Sequence, residues 1–291
     1  MGIKVGLQLF SIKNAMSEDP AQALRTAAEC GYRYIEIANH NALEDTGIGF
    51  GMKAKEVKAI LKDTGASIVS AHIYPFDMEK YKAILEYNAE IGNKNIIYPM
   101  DKFKDLDDVF ARCELLNEYG EMTKKYGMKF YYHNHANEFM TIGRRMIMDL
   151  IMDHTDADKV SLELDTFWAM RAGVDPIEYM RKYSDRIGLL HQKDMSKSAE
   201  SPVNVFSRLP REIPYGQMAA FRYCKQYVKD TDFTEIGTGI MNIQEIIDVA
   251  NELKNVEYMF LEQDNTQMEN EIMSIKKSME EFRKFSGIEW E

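Results

Sequence analysis

His133 and His135 stand in the segment FYYHNHANEF, Phe130 to Phe139, and Glu138 follows them. Imidazoles and a carboxylate in an aromatic, strand-like run suit two tasks: holding a divalent metal ion and moving a proton near neutral pH. Other short apolar runs end in the same kinds of residue. VSLELD closes on Asp165, GLLHQKD carries His191 and Lys193, and MFLEQ carries Glu262. An unpaired charge at the end of an apolar run is costly, so several of them call for a common partner. The carboxylates of Glu138, Asp165 and Glu262 with the imidazole of His191 form a mixed oxygen and nitrogen donor set. One divalent cation fits it, Mn²⁺ first, with Mg²⁺, Co²⁺ or Zn²⁺ as alternatives. No thiolate joins the set, which speaks against a purely structural zinc site.

Such an ion would hold two oxygens of a polyol or keto-sugar and stabilise the enediolate left when the neighbouring C–H proton departs. His135 is the expected base, and Glu262 a ligand that can also transfer a proton. His133 is expected to position substrate or to exchange roles with His135 as the base, and either histidine is the alternative ligand to Glu138. Gln8, His72 and Lys193 end other apolar runs and are expected to bind substrate, with Trp168 and Phe10 walling a sugar face. Some neighbours are assigned no chemistry. Glu36 reads as an interior charge paired with a neighbour, Glu163 as outward or paired with Lys or Arg, and His40 and His154 as incidental. Tyr131 and Tyr132 alternate faces, and at least one is ordinary packing.

The elements that must position these residues alternate regularly. Strand-like runs cover Ile3–Phe10, Tyr32–Ala38, Ala66–Tyr74, Asn95–Pro99, the MKFYYHNH segment, Val160–Asp165, Ile187–Asp194 and Val256–Gln263. Each is followed by helical sequence. Strict alternation favours a parallel sheet, and eight units in 291 residues point to a (β/α)8 TIM barrel, with a doubly wound sheet as runner-up. A barrel gathers strand ends at one mouth, where these polar residues would meet. The whole chain, 1–291, is expected to form one such domain. A Pro- and Gly-containing stretch at about 195–240 is too long for an idle connection and is expected to act as a lid.

In that order, YYHNHANEF, LELDTFWAMRAGVDP, GLLHQKD and MFLEQD resemble the sugar phosphate isomerase/epimerase superfamily with the xylose-isomerase-like barrel. VGLQLFSIKN and SIVSAHIY resemble its branch with a YHNHxxEF fifth strand. The resemblance covers nearly the whole chain. It implies one divalent metal held by Glu138, Asp165, His191 and Glu262, and isomerase or epimerase chemistry. It equally implies the related dehydratase or lyase eliminations on an inosose or a 3-keto-glycoside. The chain departs from ketose epimerases at one point: His133 stands where they carry a strand-five glutamate.

Composition narrows the alternatives. A net charge of −11, from 36 basic and 47 acidic side chains, argues against affinity built on phosphate contacts. It disfavours the endonuclease-IV-like DNA repair reading, whose three-zinc site also needs more histidines than this set offers. A non-catalytic sugar-binding protein is the other alternative. The expected partner is a small-molecule sugar or polyol, with no nucleic acid and no membrane, and a homo-oligomer is left open. Cys30, Cys113 and Cys224 form no CxxC motif and are expected to be free thiols in a cytoplasmic protein.

Overall fold

The computed structural model describes residues 2–142, 144–207 and 226–290. Eight strands follow one another around a closed, all-parallel barrel. They are β1 (Lys4–Gln8), β2 (Tyr34–Asn39), β3 (Ser67–Ile73), β4 (Asn95–Tyr98), β5 (Lys129–His133), β6 (Ser161–Asp165), β7 (Ile187–Gln192) and β8 (Tyr258–Leu261). With helices on its outside, this is the (β/α)8 TIM barrel.

Alternation along each strand builds two separate apolar regions. Leu162, Leu164, Leu190 and Ile96 face outward into the large core under the helices. Ile97, Tyr131, Leu189 and Phe260 face inward and plug the barrel. Gly6 makes room for that plug, since a Cβ there would stand 2.5 Å from the Phe260 ring. Helix starts are written in the sequence. Asp19, Asp77, Asp105, Asp175, Asn242 and Asn270 each accept a backbone N–H from the first turn of the helix they precede. Gly65 ends the helix Ala54–Thr64 in the left-handed conformation, at φ 70°.

Two departures from the expected elements bear on the site. The fifth strand stops at His133, so His135 lies beyond it, and Asn137–Phe139 turn into a short 3-10 helix. Asn134 carries the join between β5 and β6 past the ladder: its side chain accepts from Asp165 N at 3.1 Å and donates to Asp165 O at 3.3 Å.

Residues 208–225 of the expected lid, with Cys224, lie outside the described residues; Cys30 and Cys113 are free. The flanks of that stretch are anchored. Asp194–Met195 pair antiparallel with Phe233–Thr234. The Asp194 carboxylate accepts from the backbone N–H groups of Met195, Gly237, Gly239 and Met241. Arg171 and Asp232, both fully buried, pair at 2.9 Å, and Arg171 also donates to Tyr227 O at 3.0 Å. Breaking such a pair from one side strands a buried charge. Asp232→Leu should therefore lower unfolding stability in urea by about 3–5 kcal/mol. The double variant with Arg171→Met should recover part of that loss. Equal stability of wild type and Asp232→Leu would show that the pair holds nothing together.

Candidate functional site

The polar strand ends meet in the upper part of the barrel. Among the described residues, two groups bring ligand atoms within 4.8 Å of one another: His133, Asp165, His191 and Glu262, and His72, His133, Glu163 and His191. The first lies at the mouth and the second just beneath it, and they share His133 and His191.

At the mouth, Asp165 and Glu262 converge on a single cation, the Lys193 ammonium, which donates to Asp165 Oδ2 at 2.6 Å and to Glu262 Oε2. His191 Nδ1 lies 2.9 Å from Glu262 Oε2, and His133 Nε2 lies 4.0 Å from Asp165 Oδ2. Asp165 does a second task, because its Oδ1 accepts from Trp168 N at 2.8 Å and caps the helix Thr166–Arg171. Lys193 is fully buried, 6.0 Å from the Trp168 ring centroid and 3.8 Å from Asp264 Oδ1.

Beneath the mouth, His72 Nε2 lies 2.6 Å from Glu163 Oε2 and 3.2 Å from Glu36 Oε1. His133 Nδ1 lies 3.0 Å from Glu163 Oε2, and His191 Nε2 lies 2.5 Å from Glu36 Oε1. An ionised carboxylate only accepts, so opposite ionised Glu36 and Glu163 these ring nitrogens would carry the proton. With its proton on Nδ1, His133 would offer the lone pair of Nε2 upward.

The electrostatics follow from burial set against these contacts. Burial pulls His72 down, but Glu36 and Glu163 outweigh it and raise it to about 9. Burial likewise opposes the charged form of His191, yet Glu163, Glu36 and Glu262 hold its pKa well above the ordinary value. His133 is held well below, by burial and by the other histidines, and is neutral. Burial and the adjacent Glu36 push Glu163 up to about 7, whereas His72 and His191 overcome burial to keep Glu36 well below the usual carboxylate range. Burial disfavours the Lys193 ammonium, but Asp165 and Glu262 raise its pKa, and Lys193 in turn overcomes burial to hold Glu262 ionised.

The structure brings Asp165, His191 and Glu262 together as the sequence suggested, with His133 as their fourth neighbour. It does not bring Glu138 there. That carboxylate accepts from Tyr132 Oη at 2.9 Å, from His135 N at 2.9 Å and from Asp101 N at 3.4 Å. The 3-10 turn folds it back onto the loop that follows β5. Glu163 corrects the outward expectation. It shares its strand face with Asp165, two residues on, and it is fully buried inside the barrel.

His72 is 3% exposed and engaged with the carboxylates rather than open at the mouth. Gln8 is buried, with its Oε1 accepting from Phe10 N at 2.6 Å. His135 is partly exposed, its ring 5.1 Å from His133 and 5.7 Å from Trp168, and its Nδ1 has no partner. His40 lies against Phe10, at 5.4 Å. Asp264, missed in the sequence, follows Glu262 at the same two-residue spacing. It lines a cavity of about 480 Å³ with Ser11, Lys13, Asn14, Gln263 and Glu269.

A family model described as xylose isomerase-like TIM barrel matches residues 24–285. An inosose dehydratase from Lacticaseibacillus casei is 34% identical over 96 residues, 33% of this chain and 32% of that protein. The match thus spans about a third of the length of the curated relative. A sugar phosphate isomerase/epimerase structure from Parabacteroides distasonis superposes with a TM-score of 0.77 at 25% identity, covering 99% of this chain and 96% of that one. A probable 3-DHS dehydratase from Bacillus anthracis superposes with a TM-score of 0.68 at 15% identity, covering 97% and 99%, a likeness of fold.

Proposed function

The chain belongs to the xylose isomerase-like TIM-barrel family, and from that membership we propose that it removes the proton next to the carbonyl of a keto-sugar or inosose. A divalent metal ion held by His133, Asp165, His191 and Glu262 would assist it. The observation that carries this reading is the meeting of those four residues beside the unpaired ring nitrogen of His135.

The donor set fits a divalent ion. Two imidazoles and two carboxylates suit Mn²⁺, Co²⁺ or Zn²⁺. The carboxylates of Asp165 and Glu262 converge on the one Lys193 ammonium, so a divalent cation would compensate negative charge in this buried site. When bound, the ion would polarise the substrate carbonyl and stabilise the negative charge that develops on its oxygen.

The remaining work falls to the chain's own groups. Burial lowers the His135 pKa to about 3, so this ring is neutral at pH 7, and its buried Nδ1, which has no partner, is the atom we take to accept the substrate proton. Trp168 would form one wall, and Lys193, 3.8 Å from Asp264 Oδ1 and 6.0 Å from the Trp168 ring, would with Asp264 supply the proton to a departing hydroxyl.

Elimination is the favoured outcome. Inverting a carbon needs an acid and a base on opposite faces of the substrate. At the strand-five position His133 is 1% exposed and hydrogen-bonded to Glu163, so it offers no second base. The matched inosose dehydratase agrees with loss of water, while the Parabacteroides distasonis structure favours isomerisation or epimerisation as the second reading. Metal-loaded protein should be incubated in D₂O with a panel of inososes, 3-keto-glucosides and keto-sugars. C–H exchange with loss of water or of the glycosidic group supports elimination, and exchange with a retained formula supports isomerisation. No exchange with any of them would leave a binding protein.

Metal binding should strengthen as pH rises. The metal-free protein keeps a proton on His191 Nδ1 that must leave before this nitrogen can ligate. Below the raised His191 pKa, affinity should gain up to about tenfold per pH unit. Calorimetry in buffers of unequal ionisation enthalpy should show proton release. An affinity independent of pH, with no proton released, would remove His191 from the ligand set.

A further inference from the structure

We propose that Glu163 and Glu36 are positioning residues that hold the two ligand histidines from beneath, and that His72 ties the two carboxylates together. Each carboxylate grips the ring nitrogen opposite the one offered to the metal. The inference rests on the metal reading above and extends it to residues that touch neither ion nor substrate.

The geometry is the same at both histidines. Glu163 takes His133 Nδ1, leaving Nε2 toward Asp165. Glu36 takes His191 Nε2, leaving Nδ1 toward Glu262. A carboxylate on the far nitrogen fixes both the tautomer and the ring plane of a metal-ligating histidine. His72 lies between them, bonded to both carboxylates and stacked on His191 with ring centroids 5.0 Å apart and planes at 12°. All five side chains are buried, so one that turned away would leave a buried polar partner short of a hydrogen bond.

The lower group is less suited to hold a cation itself. Its three ring nitrogens each already lie within hydrogen-bond distance of a carboxylate oxygen. A cation there would need His133 Nδ1 and His191 Nε2 stripped of their protons, while the mouth group claims the other nitrogen of each ring.

The test pairs a metal titration with the histidine ring signals of the metal-free protein. In ¹⁵N spectra of wild type, His133 should carry its proton on Nδ1 alone, and Glu163→Gln should mix the two tautomers. With Mn²⁺, wild type should take up one ion per chain. Glu163→Gln and Glu36→Gln should each weaken binding by about 10–100-fold. Unchanged affinity in both variants together with an unchanged His133 tautomer overturns the proposal. A wild-type His133 protonated on Nε2 overturns it without any variant. Two ions per wild-type chain, one of them lost in Glu163→Gln, also overturns it and makes the lower group a metal site. If wild type takes up no metal, the metal reading fails, and the tautomer spectra alone still decide whether Glu163 sets the His133 ring.

Discussion

Asp165→Asn and Glu262→Gln should each abolish metal binding and turnover together while leaving the barrel folded. Each change removes one of two anionic oxygens from a donor set whose other members are neutral imidazoles. Outer partners of a ligand are worth about 10–100-fold in metal affinity, so loss of a charged ligand should exceed that range. The fold should survive for identifiable reasons. An Asn at position 165 can still accept the Trp168 N–H that caps the helix Thr166–Arg171. In either variant the Lys193 ammonium keeps the remaining carboxylate, so no buried charge is left without a partner. Metal content after dialysis and thermal unfolding of metal-free protein check the two halves. Full metal content in both variants would dismiss the assignment. Loss of metal with a collapsed unfolding transition would show the carboxylates to be structural.

His135→Asn should keep the metal and lose C–H exchange, by about 10²–10⁴-fold as for removal of a general base. His135 contributes to neither ligand group, and its Nδ1 is buried without a partner on a side chain that is otherwise partly exposed. His133→Asn should do the opposite and lose the metal, because its Nε2 faces Asp165 while Glu163 holds its other nitrogen. Glu138→Gln should bind metal normally, since its oxygens accept from Tyr132, His135 and Asp101. Metal titration beside deuterium incorporation separates the roles. Normal exchange in His135→Asn, with exchange lost in a His133→Asn protein that still holds metal, would swap the two histidines.

The barrel was legible because its rhythm is local: apolar runs, Asp and Asn caps, and Gly stops each announce an element without reference to distant residues. Asp165, His191 and Glu262 were legible for a related reason, since a charge at the end of an apolar strand has few explanations. Glu163 was misread although period-two alternation puts it on the face of Asp165, and applying that rule through the whole strand would have placed it inside. Glu138 was read as a metal ligand, but whether a carboxylate three residues beyond His135 reaches the mouth or folds back depends on the backbone of a short turn. The pairing of Glu36 with His191, 155 residues apart, is visible only once the barrel closes. Asp264 lies one alternate position past Glu262 and was passed over because the apolar run had already ended.

The most direct test of the account is anomalous diffraction at the manganese edge from crystals of the metal-loaded protein. One peak per chain should appear at the barrel mouth, bonded to a nitrogen of His133, a nitrogen of His191 and carboxylate oxygens of Asp165 and Glu262, with Lys193 displaced from between the two carboxylates. A peak on Glu138, a peak confined to the His72 and Glu163 level, or crystals that take up no metal would contradict it.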